Sequence, residues 1–147
     1  VVPGRTYMEG TMRTFDEAWR RRVKEVVHEA GAEVDARFGV ATEVDINHGY
    51  PCVYNDEELT QRVADATAGL FGEDAVVSLG LRPTAEDFGY YTLEYPSVYY
   101  RLGVGGDGEY FENRAAGRIH TAAFRPDEKA LGYGVVQFIN IVFTILG

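Results

Sequence analysis

At 147 residues and 46% hydrophobic content the chain can bury one ordinary core or two small ones, and a charged fraction of 25% is that of a folded globular protein rather than a disordered one. A net charge of −9 repels phosphate backbones and anionic lipid, which argues against nucleic acid as a partner. The single cysteine, Cys52, excludes an internal disulfide and a Cys-based zinc knuckle, and it fits a reducing, cytoplasmic setting. The chain opens Val1-Val2-Pro3, without an initiator Met or a signal peptide, so an upstream segment is expected.

Residues 5–13 alternate loosely and are rich in Thr, Tyr and Met, which predicts a strand. Thr14-Phe15-Asp16-Glu17 then has the spacing of a capping box, and Phe15, Ala18, Trp19, Val23, Val26, Val27 and Ala30 follow at helical intervals. Gly31 reads as the stop. The run Arg20-Arg21-Arg22 with Lys24 is interleaved with Glu17, Glu25 and Glu29, so it reads as a solvated helix face. Val40, Thr42, Val44 and Ile46 alternate with polar or small neighbours, predicting a half-buried strand, and Gly49-Tyr50-Pro51 breaks the pattern at a candidate domain crossing.

Asn55-Asp56-Glu57-Glu58 opens a second helix that carries Leu59, Val63, Ala66 and Leu70 and ends near Gly72. Residues 75–79 predict a short strand, and Thr84 a cap for a short helix holding Tyr90 and Tyr91. Residues 97–104 predict a buried strand, followed by a Gly-rich turn over 103–108 and a loop over 109–119. The turn lacks the Lys-Ser/Thr ending of a phosphate loop, and Asp107 and Glu109 make it acidic, which rejects nucleotide binding there. Pro126-Asp127-Glu128 opens a last helix with an acidic residue where it suits the dipole. From Ala130 to Gly147 no residue is charged, close to the lower limit of a membrane span. The polar and glycine positions inside that run, and the single basic flank at Lys129, favour a buried core helix over a membrane segment.

Few residues carry chemistry. His28 lies off the apolar stripe of the first helix, and His48 ends a predicted strand with either a structural or a cleft-facing role. His120 sits in a loop where it could serve as ligand or base. Glu86-Asp87 stands beside a turn and a helix start, which fits helix capping, or an acid/base or metal-shell role in a cleft. The cluster of tyrosines over 90–100 predicts a core or a cleft wall. Residues and spacing alone go no further than an α/β module with a possible site at Glu86, Asp87 and His120.

A set of short segments, taken together and in order, resembles one family. They are Val2-Pro3 with Glu9-Gly10-Thr11-Met12-Arg13-Thr14-Phe15-Asp16; Gly49-Tyr50-Pro51 with Val53-Tyr54-Asn55-Asp56-Glu57-Glu58-Leu59; Ala85-Glu86-Asp87-Phe88-Gly89-Tyr90-Tyr91; Arg101-Leu102-Gly103-Val104-Gly105; and Ile119-His120-Thr121-Ala122-Ala123-Phe124. The chain is similar to the amidohydrolase branch of the dinuclear metallopeptidases, which includes aminoacylases, hippurate hydrolases and indole-acetyl amino acid hydrolases, and the similarity is to their C-terminal portion.

That resemblance implies an α/β fold. Residues 1–48 would be the second half of a lid or dimerisation domain, a strand-helix-strand piece of a ferredoxin-like α+β unit. Residues 49–147 would be the C-terminal half of an α/β zinc-peptidase-like catalytic domain. It implies hydrolysis of N-acyl amino acids or similar small amides by a water activated between two divalent ions, zinc or manganese. His120 matches the family's last metal ligand, although Ile119 and Thr121-Ala122-Ala123 replace its usual neighbours. Glu86 and Asp87 match an acidic motif with a supporting catalytic role in the cleft. Arg13 matches a lid arginine that could pair with a substrate carboxylate, or alternatively with a glutamate on a neighbouring strand. The family's Cys-Gly-His-Asp-type segment, its general-base Glu-Glu segment and a further His ligand have no counterpart here. One imidazole cannot hold two ions, so activity is expected to need the missing N-terminal half. The competing expectations are a non-catalytic, self-associating homo-oligomer, and a membrane-anchored protein using residues 130–147.

Overall fold

The computed structural model describes residues 3–106 and 119–147. Four α-helices lie among them: α1 (Glu17–Phe38), α2 (Glu57–Phe71), α3 (Gly89–Glu94) and α4 (Lys129–Leu146), with a short 3₁₀ turn at Glu73–Ala75. The chain divides into two compact units, one of Val1–Tyr54 with Gly80–Tyr95 and one of Asn55–Leu79 with Pro96–Gly147.

In the first unit, α1 begins two residues later than the Thr14 capping box predicts. Asp16 is the N-cap, in extended conformation, and its carboxylate accepts from the Trp19 amide at 2.9 Å. Thr14 instead accepts from the Asp16 amide at 3.1 Å. The helix does not stop at Gly31. It runs on to Phe38 and ends at Gly39, whose φ of 65° is the left-handed conformation that a side chain disfavours. Gly31 is a contact, not a stop. A Cβ there would lie 3.3 Å from Thr42 Cγ2 and 3.5 Å from Val44 Cγ2, so its missing side chain lets residues 42–44 lie close against the helix.

α3 packs where Gly89 meets the carbonyl of Pro51, and Tyr50 and Tyr90 stack edge to face at 6.2 Å. α3 holds Tyr90 and Tyr91 as predicted, but Thr84 is not its cap. Its N-terminal position is Phe88, without a side-chain cap, and the turn is closed by the carbonyls of Glu86 and Asp87, which accept from Gly89 and Tyr90.

In the second unit α2 starts and ends where the sequence predicts, but its cap is Asp56 rather than Asn55, the residue with Glu58 three positions after it. Asp56 caps it by accepting from the Leu59 amide at 2.8 Å, and Gly72 ends it with φ 94°. Asp127 accepts from the Lys129 amide at the start of α4, where the sequence places it. Asn55 grips residue 99 twice. Its Oδ1 accepts from the Tyr99 amide at 2.8 Å and its Nδ2 donates to the Tyr99 carbonyl at 3.0 Å, while the Asp56 amide donates to the Ser97 carbonyl.

Val63 of α2 and Ala130 of α4 are buried, and side-chain hydrogen bonds join the two helices. Gln137 donates to Thr67, Asn140 to the Ala66 carbonyl, and Arg62 of α2 to the Thr144 carbonyl. Phe71 and Tyr133 close one end, edge to face at 5.7 Å. The expectation of a buried core helix is therefore corrected. Only Ala130 and Gln137 of α4 are buried, and the half of the helix turned away from α2 is exposed. By length and composition alone α4 is long and apolar enough to cross a membrane.

The segments predicted as strands, 5–13, 40–47, 75–79 and 97–104, form no β-ladder among the described residues. Residues 73–75 are the 3₁₀ turn, and Val76 beyond it is extended. A strand is defined by exchanging amide and carbonyl bonds with a neighbour, and alternation alone does not supply one. The sheet of the expected α/β architecture is thus not present among the described residues. The predicted loop over 109–119 and the acidic turn residues Asp107 and Glu109 lie, apart from Ile119, outside the described residues, as does Val2.

Candidate active site

Arg13, Glu86 and Asp87 belong to the first unit. Arg13 is exposed, and its Nη1 donates to the Pro83 carbonyl at 2.8 Å, tying the N-terminal segment to the stretch that leads into Glu86-Asp87. No acidic side chain pairs with Arg13 among the described residues. A guanidinium has five N–H donors in a planar fork, so this anchor leaves most of its donor capacity available to a planar anion.

Glu86 is half-buried and Asp87 exposed. Capping would explain the pair if their carboxylates closed α3, but their backbone carbonyls do so instead. Their carboxylates have no hydrogen-bond or ion-pair partner among the described residues.

His120 lies in the second unit, exposed, in the turn 119–123. Its φ of 65° is a left-handed conformation that few residues other than glycine adopt, although His tolerates it better than most. The turn is closed by the Phe124 amide donating to the Thr121 carbonyl at 3.1 Å. The His120 imidazole has no partner among the described residues. His28 is exposed on α1, and His48 is exposed with Lys24 Nζ against its ring, 3.0 Å from Nε2.

One constellation has no signal in the sequence pattern. At the Gly49-Tyr50-Pro51 break, the Cys52 amide donates to Glu17 at 3.1 Å, Cys52 Sγ donates to the Thr14 carbonyl at 3.2 Å, and Arg20 bridges Glu17 at 2.6 Å and the Tyr50 carbonyl at 2.7 Å. Burial pushes the Cys52 thiol above its ordinary value, and the adjoining Glu17 carboxylate adds to that. Burial works against ionisation of Glu17 too, but the Cys52 amide and the Arg20 guanidinium prevail and hold its carboxyl below the usual range. A thiol kept protonated and pointed at a carbonyl is an anchor rather than a nucleophile.

No group of three or more His, Cys, Asp or Glu side chains converges to hold a metal ion among the described residues. The donors present do not fit a divalent site by themselves, because His120 offers a single imidazole.

The sequence pattern of peptidase family M20/M25/M40 matches residues 4–136. The chain belongs to this family. As a member of M20/M25/M40 it is 30% identical over 142 residues to an N-acetyldiaminopimelate deacetylase of Shouchella clausii, covering 95% of this chain and 34% of that protein. It is also 30% identical over 146 residues to the N-acetyldiaminopimelate deacetylase of Lacticaseibacillus casei, covering 97% and 35%. To the N-acetyl-L-cysteine deacetylase of Bacillus subtilis it is 30% identical over 131 residues, covering 89% and 29%. This M20/M25/M40 chain therefore spans about a third of the length of the curated relatives it matches. No solved structure matches it. The family read from the short segments and the family matched along the chain are the same.

Proposed function

We propose that this chain is the C-terminal portion of a metal-dependent, cytoplasmic amide hydrolase that acts on N-acyl amino acids or similar small amides and works together with the N-terminal two-thirds present in its relatives. The observation that carries this reading is the family match over residues 4–136, together with deacetylases of N-acetylated amino acids among the relatives. In this reading residues 1–48 are the second half of a lid and residues 49–147 the returning part of an α/β catalytic domain. Segments 75–79 and 97–104 are strands that gain their ladders from the rest of the enzyme.

Within it, Arg13 receives the carboxylate of the amino-acid product or substrate. Its anchorage on Pro83 fixes the guanidinium plane without neutralising it. Glu86 and Asp87 keep their carboxylates unspent for a supporting role in the cleft. His120 is one donor toward the two divalent ions, zinc or manganese, whose other ligands come from the rest of the protein. The described residues alone form no such site, so no step of the reaction is assigned through a metal. The second reading is a non-catalytic homo-oligomer, and the exposed half of α4 favours it for the chain in isolation.

Acetate release from N-acetyl amino acids tests the first reading. The 147-residue chain alone, supplied with zinc or manganese, is expected to give none above background. Co-expression with the N-terminal two-thirds of the Shouchella clausii relative is expected to give turnover that His120→Ala abolishes and Arg13→Ala weakens mainly through KM. Turnover by the chain alone, or restored turnover indifferent to His120→Ala, refutes the assignment.

A further inference from the structure

Arg13 ends the segment 5–13, which is exposed throughout and pairs with no neighbouring strand among the described residues. A long side chain on such a segment keeps one place only if the backbone beneath it is fixed, because ordering both costs conformational entropy. The turn that follows Arg13 is fixed, and the grip comes from residues 50–52. Cys52 Sγ donates to the carbonyl of Thr14, the residue next to Arg13, at 3.2 Å, and the Cys52 amide donates to Glu17 at 3.1 Å. Arg20, one helical turn after Glu17, pairs with it at 2.6 Å and donates to the Tyr50 carbonyl at 2.7 Å. Glu17 thus leaves the capping-box role that its spacing from Thr14 allows and holds residues 50–52 instead.

Pro51, between those two anchored residues, lies against the buried Gly89 of α3, where an added Cβ would have no room. Glu86 and Asp87 lead into Gly89, and Pro83 before them receives Arg13 Nη1 at 2.8 Å. These contacts close a ring inside the first unit. It runs from Arg13 to Pro83, along the chain past Glu86-Asp87 to Gly89, across to Pro51, and from Cys52 back to Thr14. A closed ring leaves Arg13 little freedom relative to the Glu86-Asp87 stretch, and opening it at one point releases that constraint.

We propose that residues 50–52, clasped by Glu17 and Arg20, are a positioning element that holds the Arg13 guanidinium in place beside the Glu86-Asp87 stretch. Glu17, Arg20 and Cys52 act through Arg13 and are positioning rather than catalytic residues. The use of that placement rests on the reading of Arg13 as the group that receives a substrate carboxylate; the placement itself does not.

The heteronuclear NOE of the Arg13 Nε–H in the 15N-labelled full chain tests the positioning, with Arg21, exposed on α1, as the reference. Arg13 should be clearly more ordered than Arg21. Cys52→Ala and, separately, Glu17→Ala should bring it down to the level of Arg21. Cys52→Ser, whose hydroxyl can still donate to the Thr14 carbonyl, should keep it ordered. Far-UV circular dichroism checks the helices, and if one alanine variant loses that signal the other decides. An Arg13 as free as Arg21 in the wild type overturns the proposal, as does one equally ordered in both alanine variants, or a Cys52→Ser chain as loose as Cys52→Ala. In the two-part enzyme described above, the alanine variants should raise KM for N-acetyl amino acids roughly fivefold with kcat little changed, and Cys52→Ser should keep the wild-type KM. A purely structural loss would cut the amount of active enzyme and leave KM alone. A loosened Arg13 with KM unmoved would uphold the positioning and refute the carboxylate-binding role of Arg13.

Discussion

Gly89→Ala should unfold the first unit more easily than any other single methyl addition in it. Gly89 is buried at the first position of α3, and an added Cβ would stand 2.4 Å from the Pro51 carbonyl oxygen, 3.1 Å from its carbon and 3.1 Å from Pro51 Cγ. Two of those atoms are backbone and cannot swing aside. Restoring an ordinary contact asks α3 and residues 50–52 to part by about 1 Å, an overpacking strain of roughly 1–3 kcal/mol. The same shift disturbs the Tyr50–Tyr90 edge contact, worth about 0.5–1.5 kcal/mol, and stretches the 3.3 Å bond from the Tyr54 amide to Thr92. Replacing a helical Gly returns up to about 1 kcal/mol of backbone entropy. The net loss is about 2 kcal/mol, or a urea midpoint lower by roughly 1 M. Trp19, the only tryptophan, lies in the same unit and reports it by fluorescence. Gly69→Ala is the control. No atom lies within 4 Å of its added Cβ, so helix propensity should act alone and stabilise by roughly 0.5–1 kcal/mol, read by circular dichroism. A Gly89→Ala midpoint equal to or above wild type would refute the packing argument.

Asp56→Ala removes the side-chain cap of α2 and should cost about 1 kcal/mol in urea unfolding, with Asp56→Asn close to neutral. Gln137→Leu should leave stability unchanged or raise it by about 1 kcal/mol. The buried Oε1 has no hydrogen-bond partner among the described residues, and Thr67 keeps its own bond to the Val63 carbonyl; a loss beyond about 1 kcal/mol in chemical denaturation would contradict this. Acid should destabilise the chain. The Cys52 amide and Arg20 lower the Glu17 carboxyl despite burial, and Arg22 lowers that of Glu29, so both bind protons more weakly folded than unfolded. Their contribution is complete above the ordinary value of 4.5 and is lost as pH falls through and below it, which a urea midpoint followed from pH 6 to pH 3 should show as a decline.

The helix ends that were legible are those decided by neighbouring residues. The start of α2 within Asn55-Asp56-Glu57-Glu58 and its end at Gly72 were legible because a capping carboxylate and a glycine at positive φ act within one turn of chain, although the cap is Asp56 and not Asn55. Gly31 misleads for the opposite reason. A glycine that admits a returning segment looks in sequence like one that ends a helix, and only the proximity of Thr42 and Val44 distinguishes them. Glu17 illustrates the same limit. Its spacing from Thr14 spells a capping box, while its carboxylate is taken by the Cys52 amide, 35 residues away. The alternation in 40–47 states which faces a strand would present, and neither it nor the buried-strand reading of 97–104 says anything of the neighbour that would pair with it. Of the candidate site, Arg13, Glu86, Asp87 and His120 stand as residue types proposed from a family precedent. The Pro83 anchor of Arg13 and the failure of Glu86-Asp87 to cap α3 emerge only from the folded backbone.

The Asn55 side chain acts as a counterfeit peptide group. It gives and receives the same two bonds that a neighbouring strand would exchange with Tyr99, and the Asp56 amide occupies the Ser97 carbonyl beside it. The start of α2 and residues 97–99 are thereby held together by three hydrogen bonds. Asn55→Ala would cut a tie that joins the start of α2 to residue 99, so the capped end of that helix and the stretch before Tyr100 should loosen together.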